Sequence, residues 1–223
     1  MVLVCGGDVE PVKMISEMER MTQPQPKEKA EVLLPLEEER VKKNYTWMEM
    51  DISKPIFHLG FKHRFTKESV KAKRIYGMKL LLDLIGGNSS DFYCQLYQEG
   101  LVDEELGFDY IFGNGYCASI ISGGAREPKI VAKKIKERIN ALKKNGVAQE
   151  DFQRLKKKHL GRFIRGFNSI DAICMSQLDL AVTGQDLFDG FEAIKGLKKS
   201  DLETILEEEF LVENSVLSVI SAR

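Results

Sequence analysis

The chain has 223 residues, 43% of them hydrophobic and 30% charged, with 33 Lys and Arg against 34 Asp and Glu. A net charge of −1 excludes a broadly basic nucleic-acid binder and a polyacidic tail protein. The longest apolar candidate for a membrane span, 77–87, is interrupted by Lys79 and Asp83 and falls short of the roughly 18 residues that cross a bilayer; the N-terminus lacks the basic region and cleavage site of a secretory signal.

Residues 1–7, MVLVCGG, read as a buried strand, and Gly7-Asp8 as a turn. Pro11 suits the first position of a helix, along which Met14, Ile15 and Met18 form an apolar stripe. The segment 22–43 opens on QPQPK, is charged and has no period, so it reads as a linker. A strand and helix cut off by a linker bury no core alone, and residues 1–21 are expected to be the tail of a preceding, absent half.

From Asn44 the pattern is continuous. Residues 45–52 alternate as a half-buried strand does, and 56–62 form a second strand with Phe57, Leu59 and Phe61 on one face. Thr66 is a candidate N-cap for a helix to about residue 85, with Val70, Met78, Leu81, Leu82 and Ile85 inward. Ser89 or Ser90 caps a short helix over 91–99, which Gly100 stops. Strands 108–112 and 116–121 flank Gly113-Asn114-Gly115, a hairpin signal. Helices follow over 127–144, 149–167 and 169–182, with a further turn or two in 186–194. Ser200 and Glu203 have capping-box spacing for a last helix, and SVLSVI, 215–220, closes the chain as a strand that echoes the first. This order predicts an α+β domain, a mainly antiparallel sheet with helices packed on one face.

Tests for chemistry are negative. Cys5, Cys94, Cys117 and Cys174 are too dispersed for metal knuckles or redox motifs and read as small buried apolar residues. His58 and His63 are five apart on a strand and point to opposite faces; His159 has no Glu at motif spacing, so surface or half-buried histidines without a metal are expected. No nucleophile elbow or phosphate loop is present. The basic run 154–165 reads as a solvated helix face.

One stretch carries a resemblance. LIGGNSSDFYCQLYQEGL, 84–101, resembles the G-G-x-S-S-x-L-F-x-x-L-R-E-x-G-L segment of the insulinase/pitrilysin zinc peptidases, which include the mitochondrial processing peptidases. KPIFHLGF at 54–61, GVAQEDFQRL at 146–155 and MVLVCGGD at 1–8 match further family segments in order. The family pairs two α+β halves around a chamber. One half bears H-x-x-E-H, its zinc and its general base; this chain resembles the other, non-catalytic C-terminal half, and a bacterial subgroup described as inactive processing peptidases.

The resemblance implies a processing-peptidase-like half that is inactive alone, holds no cofactor, pairs with an H-x-x-E-H half carrying the zinc, and forms part of a peptide-binding chamber in the cytoplasm. It assigns substrate contact to Tyr97, Asp103, Asn88 and Ser89. Tyr97 and Asp103 replace the Arg and Tyr that the family lends to the substrate carbonyl, and an ionised Asp donates no hydrogen bond there. No nucleic acid and no membrane are expected as partners; self-association through the N-terminal strand is. The alternatives are a stand-alone dimeric α+β interaction module, discriminated by a homologous repeat upstream, and a nucleic-acid module using the 154–165 helix.

Overall fold

The computed structural model describes residues 2–21, 38–113, 115–184 and 188–223. Alternating hydrophobic strands organise it. β1 (Tyr45–Met50), β2 (Ile56–His63), β3 (Gly107–Gly113), β4 (Tyr116–Gly124) and β5 (Ser215–Ala222) form one sheet in the order β1-β5-β2-β4-β3. Only the β1–β5 pairing is parallel; β5 with β2, β2 with β4 and β4 with β3 are antiparallel. The α+β expectation holds in this sheet.

Successive side chains of a strand point to opposite faces. Phe57, Leu59 and Phe61 of β2, Ile121 of β4, and Leu217 and Val219 of β5 share the buried face. Onto it pack α2 (Ala72–Gly86), α4 (Pro128–Asn145) and α8 (Lys199–Glu209), through Leu81, Ile85, Ile135 and Leu202. Each fully buried side chain of this kind contributes roughly 2 kcal/mol. Around this layer lie α3 (Asp91–Gln98), α5 (Gln149–Gly166), α6 (Ile170–Thr183) and α7 (Asp189–Gly196). Among the described residues no helix is long and apolar enough to cross a membrane.

Among the described residues, the opposite face of the sheet carries no helix layer. The register aligns Met48, Ile220, Ile56 and Gly124 in one row, Ser218, His58 and Ser122 in the next, and Val216, Gly60 and Ile120 in the third. A Cβ placed on Gly60 meets nothing within 4 Å.

Local signals are displaced in several places. The long helix begins at Ala72, not at Thr66, because Lys71 is extended (φ −74°, ψ 142°). Thr66 instead closes a turn, its N–H donating to Ser69 Oγ at 3.0 Å. Ser90, not Ser89, caps α3, accepting from the Tyr93 N–H at 3.1 Å. Gly100 (φ 68°) and Gly146 (φ 74°) stop α3 and α4 in a conformation that costs glycine little. α8 starts two residues early: the Asp201 carboxylate accepts from the Lys198 N–H at 2.8 Å. Glu203 is drawn away to the Val147 N–H, 3.1 Å, between α4 and α5. α7 begins at Asp189. Asn114 of the hairpin and residues 22–37 of the expected linker lie outside the described residues.

The expected first strand does not form: residues 2–6 belong to no regular element. A strand needs a neighbour for its ladder hydrogen bonds, and this segment lies against α6 instead, where a Cβ on Gly6 would meet Ile170 at 2.9 Å. The following helix, α1 (Pro11–Met21), forms with no buried residue. The cysteines also depart from expectation, since Cys5 and Cys94 are exposed and only Cys117 is buried.

Candidate functional site

The segment 84–101 folds as a helix–turn–helix whose residues explain one another. Gly87 lies directly beneath the Asp83 carboxylate, so that any Cβ there would collide with Asp83 Oδ1 and its backbone carbonyl. Asp83 is buried and accepts from Lys158 Nζ at 2.8 Å and His159 Nε2 at 3.0 Å, both on α5. Burial alone would raise its pKa; the bonds from His159 and Lys158 prevail and pull it down to about 2. Gly87 is therefore a packing requirement of the α2–α5 ion pair. Gly87→Ala is expected to lower stability by about 1–3 kcal/mol, as overpacking does, and an unchanged urea midpoint would refute this.

The four expected substrate-contact residues separate into different surroundings. Asn88 Nδ2 donates to Glu105 on the wall of a cavity of about 720 Å³, which Tyr76, Lys79, Phe163 and Phe167 also line. Ser89 is outside that wall and accepts from Arg154 Nη1 at 2.9 Å. Tyr97, 57% exposed, and Asp103 meet in a second cleft of about 500 Å³ together with Lys54 and Arg126. Lys54 runs over Gly124, where a Cβ would strike its side chain, and its ammonium bonds Asp103 and lies 3.5 Å from Glu104. The Lys54 hydrogen bond holds the Asp103 carboxyl below the usual carboxylate range. Beside the Tyr97 hydroxyl, the cleft thus holds two cations that the motif alone did not reveal. Lys54 is 49 residues from Asp103, so no local spacing could have indicated the pair.

Two of the three histidines are more enclosed than their sequence context suggests. His58 is exposed, but His63 and His159 are buried. His63 Nδ1 lies 2.9 Å from Glu209 Oε2 and Nε2 lies 2.7 Å from Ser119 Oγ. With Nδ1 protonated, it donates to Glu209, and Nε2 accepts from the serine hydroxyl. Arg74 bonds the same carboxylate from the other side. Burial opposes ionisation of Glu209, yet His63 and Arg74 lower its pKa below the ordinary value. The order Ser119–His63–Glu209 has the connectivity of a nucleophilic triad, but Ser119 is 0% exposed and no substrate reaches it. The histidines do not fit a zinc ion: each buried ring is committed to its own carboxylate. Among the described residues no group of three or more His, Cys, Asp or Glu side chains gathers as metal ligands.

The basic run on α5 is not a solvated face throughout. Lys156 Nζ donates to the carbonyls of Lys195 and Leu197 at 2.6 and 2.8 Å, closing the end of α7. Lys158 bonds Asp83, and Arg154 bonds Ser89 and Asp151.

Comparison with known proteins places this geometry. A family model described as the peptidase M16 inactive domain matches residues 1–158. The "Uncharacterized zinc protease YmfH" of Bacillus subtilis is 27% identical over 222 residues, which are 96% of this chain and 51% of that protein. The chain therefore spans about half the length of this curated relative. Among solved structures, one designated an M16-like peptidase, from Alicyclobacillus acidocaldarius, superposes with a TM-score of 0.86 at 21% identity, covering 96% of this chain and 52% of the other. A peptidase M16 inactive domain from Pseudomonas fluorescens gives 0.71 at 12% identity, covering 97% and 52%. These two likenesses concern the fold.

Proposed function

Because the chain belongs to the peptidase M16 inactive-domain family, the non-catalytic half of insulinase-type zinc proteases, we propose that it walls one side of a peptide chamber whose other side is a homologous H-x-x-E-H half. The observation that carries this reading is the family match, joined to a zinc-protease relative of twice the length. The zinc and the general base belong to the partner half in this reading, and the chain alone hydrolyses nothing.

The contribution of this half is to hold peptide. Tyr97 offers a phenolic donor to a substrate carbonyl, and Asp103 acts by keeping the Lys54 ammonium at the mouth of the same cleft. Asn88 and Ser89 shape the neighbouring turn and reach substrate at its rim. Residues 1–21 serve as the end of the preceding half and 22–43 as the linker, leaving 44–223 as the domain itself. Four free cysteines suit a reducing compartment, and with a bacterial relative they favour a bacterial cytoplasm. Nucleic acid and membrane have no part in this reading.

Co-expression of the chain with an H-x-x-E-H half is expected to yield a 1:1 complex by light scattering, with zinc-dependent peptide hydrolysis that neither half shows alone. Deleting residues 1–26 should leave 44–223 folded and weaken the complex. A chain that forms a stable homodimer and ignores the catalytic half would instead identify a stand-alone interaction module.

A further inference from the structure

The cavity of about 720 Å³ between α2, α5, α6 and edge strand β3 has the volume of a small-ligand site. One wall is a row of rings. Tyr76 and Phe163 meet edge-on with centroids 6.2 Å apart, and Phe163 and Phe167 with centroids 5.5 Å apart. Gly190 lets α7 close over this row, since a Cβ there would strike both Tyr76 and Phe163. Phe167 is 37% exposed, so the row opens to solvent.

Charge lies beside the rings. Among the described residues, the wall holds the cations Lys79, Lys158 and Arg162. Lys158 is committed to Asp83 at 2.8 Å, and His159 takes the same carboxylate at 3.0 Å. Arg162 Nη1 stands 3.8 Å from Asp83, beyond hydrogen-bond range, so its donors are not spent there. Lys79 Nζ lies 5.2 Å from the centroid of the Tyr76 ring. The carboxylate that attracts it, Asp179 of α6, is not among the residues of the wall. Lys79 also stands one helical turn before Asp83 on α2, so it and Arg162 open onto the same part of the cavity. On the β3 side, Glu105 accepts from Asn88. Asp109 sits between Phe108 and Tyr110, which pack on the core, so the pleat turns its carboxylate to the other face of the sheet.

A row of rings beside two available cations suits an anion with an aromatic body. One carboxylate accepts from an ammonium and a guanidinium together, and an added ring packs edge-to-face against Phe163 and Phe167. A cationic ligand would meet Lys79 and Arg162, and a compact inorganic anion would leave the rings unused. We propose that this cavity binds a carboxylate carried on an aromatic group, with Lys79 and Arg162 holding the carboxylate and Tyr76, Phe163 and Phe167 the ring. Two sources share that chemistry: the C-terminal residue of a short peptide and a free arylalkanoate. The site is independent of the chamber reading, because every group in it belongs to this chain.

The test is isothermal titration calorimetry on the full 223-residue chain with N-acetyl-Phe-Phe, its C-terminal amide and 3-phenylpropionate. N-acetyl-Phe-Phe should bind at one site, and the amide at least about tenfold more weakly. Arg162→Gln and Lys79→Met should each weaken N-acetyl-Phe-Phe about tenfold. Lys133→Gln, on α4 and outside the wall, should leave the affinity unchanged. Both substituted wall residues are exposed, and urea midpoints confirm that the variants fold; the amide comparison needs no variant at all. If 3-phenylpropionate binds within about threefold of the dipeptide, the site takes free arylalkanoates; a larger loss assigns it to peptide termini. Equal binding of the amide would overturn the proposal, as would unchanged affinity in either wall variant. So would displacement of the dipeptide by an equal concentration of inorganic phosphate, or the absence of binding at about 1 mM.

Discussion

Glu209→Ala should destabilise the domain by roughly 3–5 kcal/mol, the cost of breaking a buried ion pair from one side. The carboxylate is the shared acceptor for His63 and Arg74, whose side chains are 0% and 18% exposed. Its removal strands a buried imidazole and a half-buried guanidinium, and opens a void beside Phe210, whose ring centroid lies 5.9 Å from that of His63. Glu209→Gln keeps the volume and should recover part of the loss, because an amide oxygen still accepts from one partner. Urea unfolding at neutral pH measures both. A loss below about 1 kcal/mol for Glu209→Ala would mean that the network is exchanging with water and does not lock α8 to β2.

The second large effect is pH-dependent. The Asp83 pKa is about 2 in the folded protein against an ordinary value of 3.8. A depressed folded pKa means that folding favours the ionised form. The stabilisation is complete above the unfolded value and disappears as pH falls from about 4 towards 2. The shift corresponds to about 2 kcal/mol at neutral pH, from a carboxylate that is 9% exposed. Glu209, whose pKa is also lowered, adds a loss of the same sign below its own ordinary value of 4.5. Asp83→Asn should therefore lie about 2 kcal/mol below the parent near neutrality, and the two should converge near pH 2. Parallel stability profiles would show that Lys158 and His159 do not favour the charged form.

The two ion-paired centres explain why some functional-looking sequence is structural. Gly87 matters because it clears the space over which Asp83 meets α5. Ser90 matters because it caps α3. Asn88 and Ser89, flanked by these, hold Glu105 and Arg154. A short motif of glycines and serines is thus sufficient to aim two helices, whatever peptide is later bound beside them.

What could be read from the chain itself was local. Alternation in 56–61 determined that Phe57, Leu59 and Phe61 of β2 face the helices, since the pleat reverses direction at every residue; in β4 buried Ser119 and outward Ile120 hide the same period. Gly100 and Gly146 marked helix ends because few other residues adopt positive φ cheaply. The segments at 84–101 and 146–155 carry the likeness to a non-catalytic half in their residues alone.

Tertiary structure alone decided the rest. That β5 inserts between β1 and β2, parallel to one and antiparallel to the other, depends on ends of the chain that only packing brings together. His63 meets Glu209 across 146 residues, and His159 meets Asp83 across 76; these separations turned histidines expected near the surface into buried, paired ones. The N-terminal segment has strand composition but, among the described residues, finds no ladder partner. Propensity and periodicity are set by neighbours a few residues away, whereas charge pairing and the uncovered sheet face are set by which surfaces the folded elements present to one another.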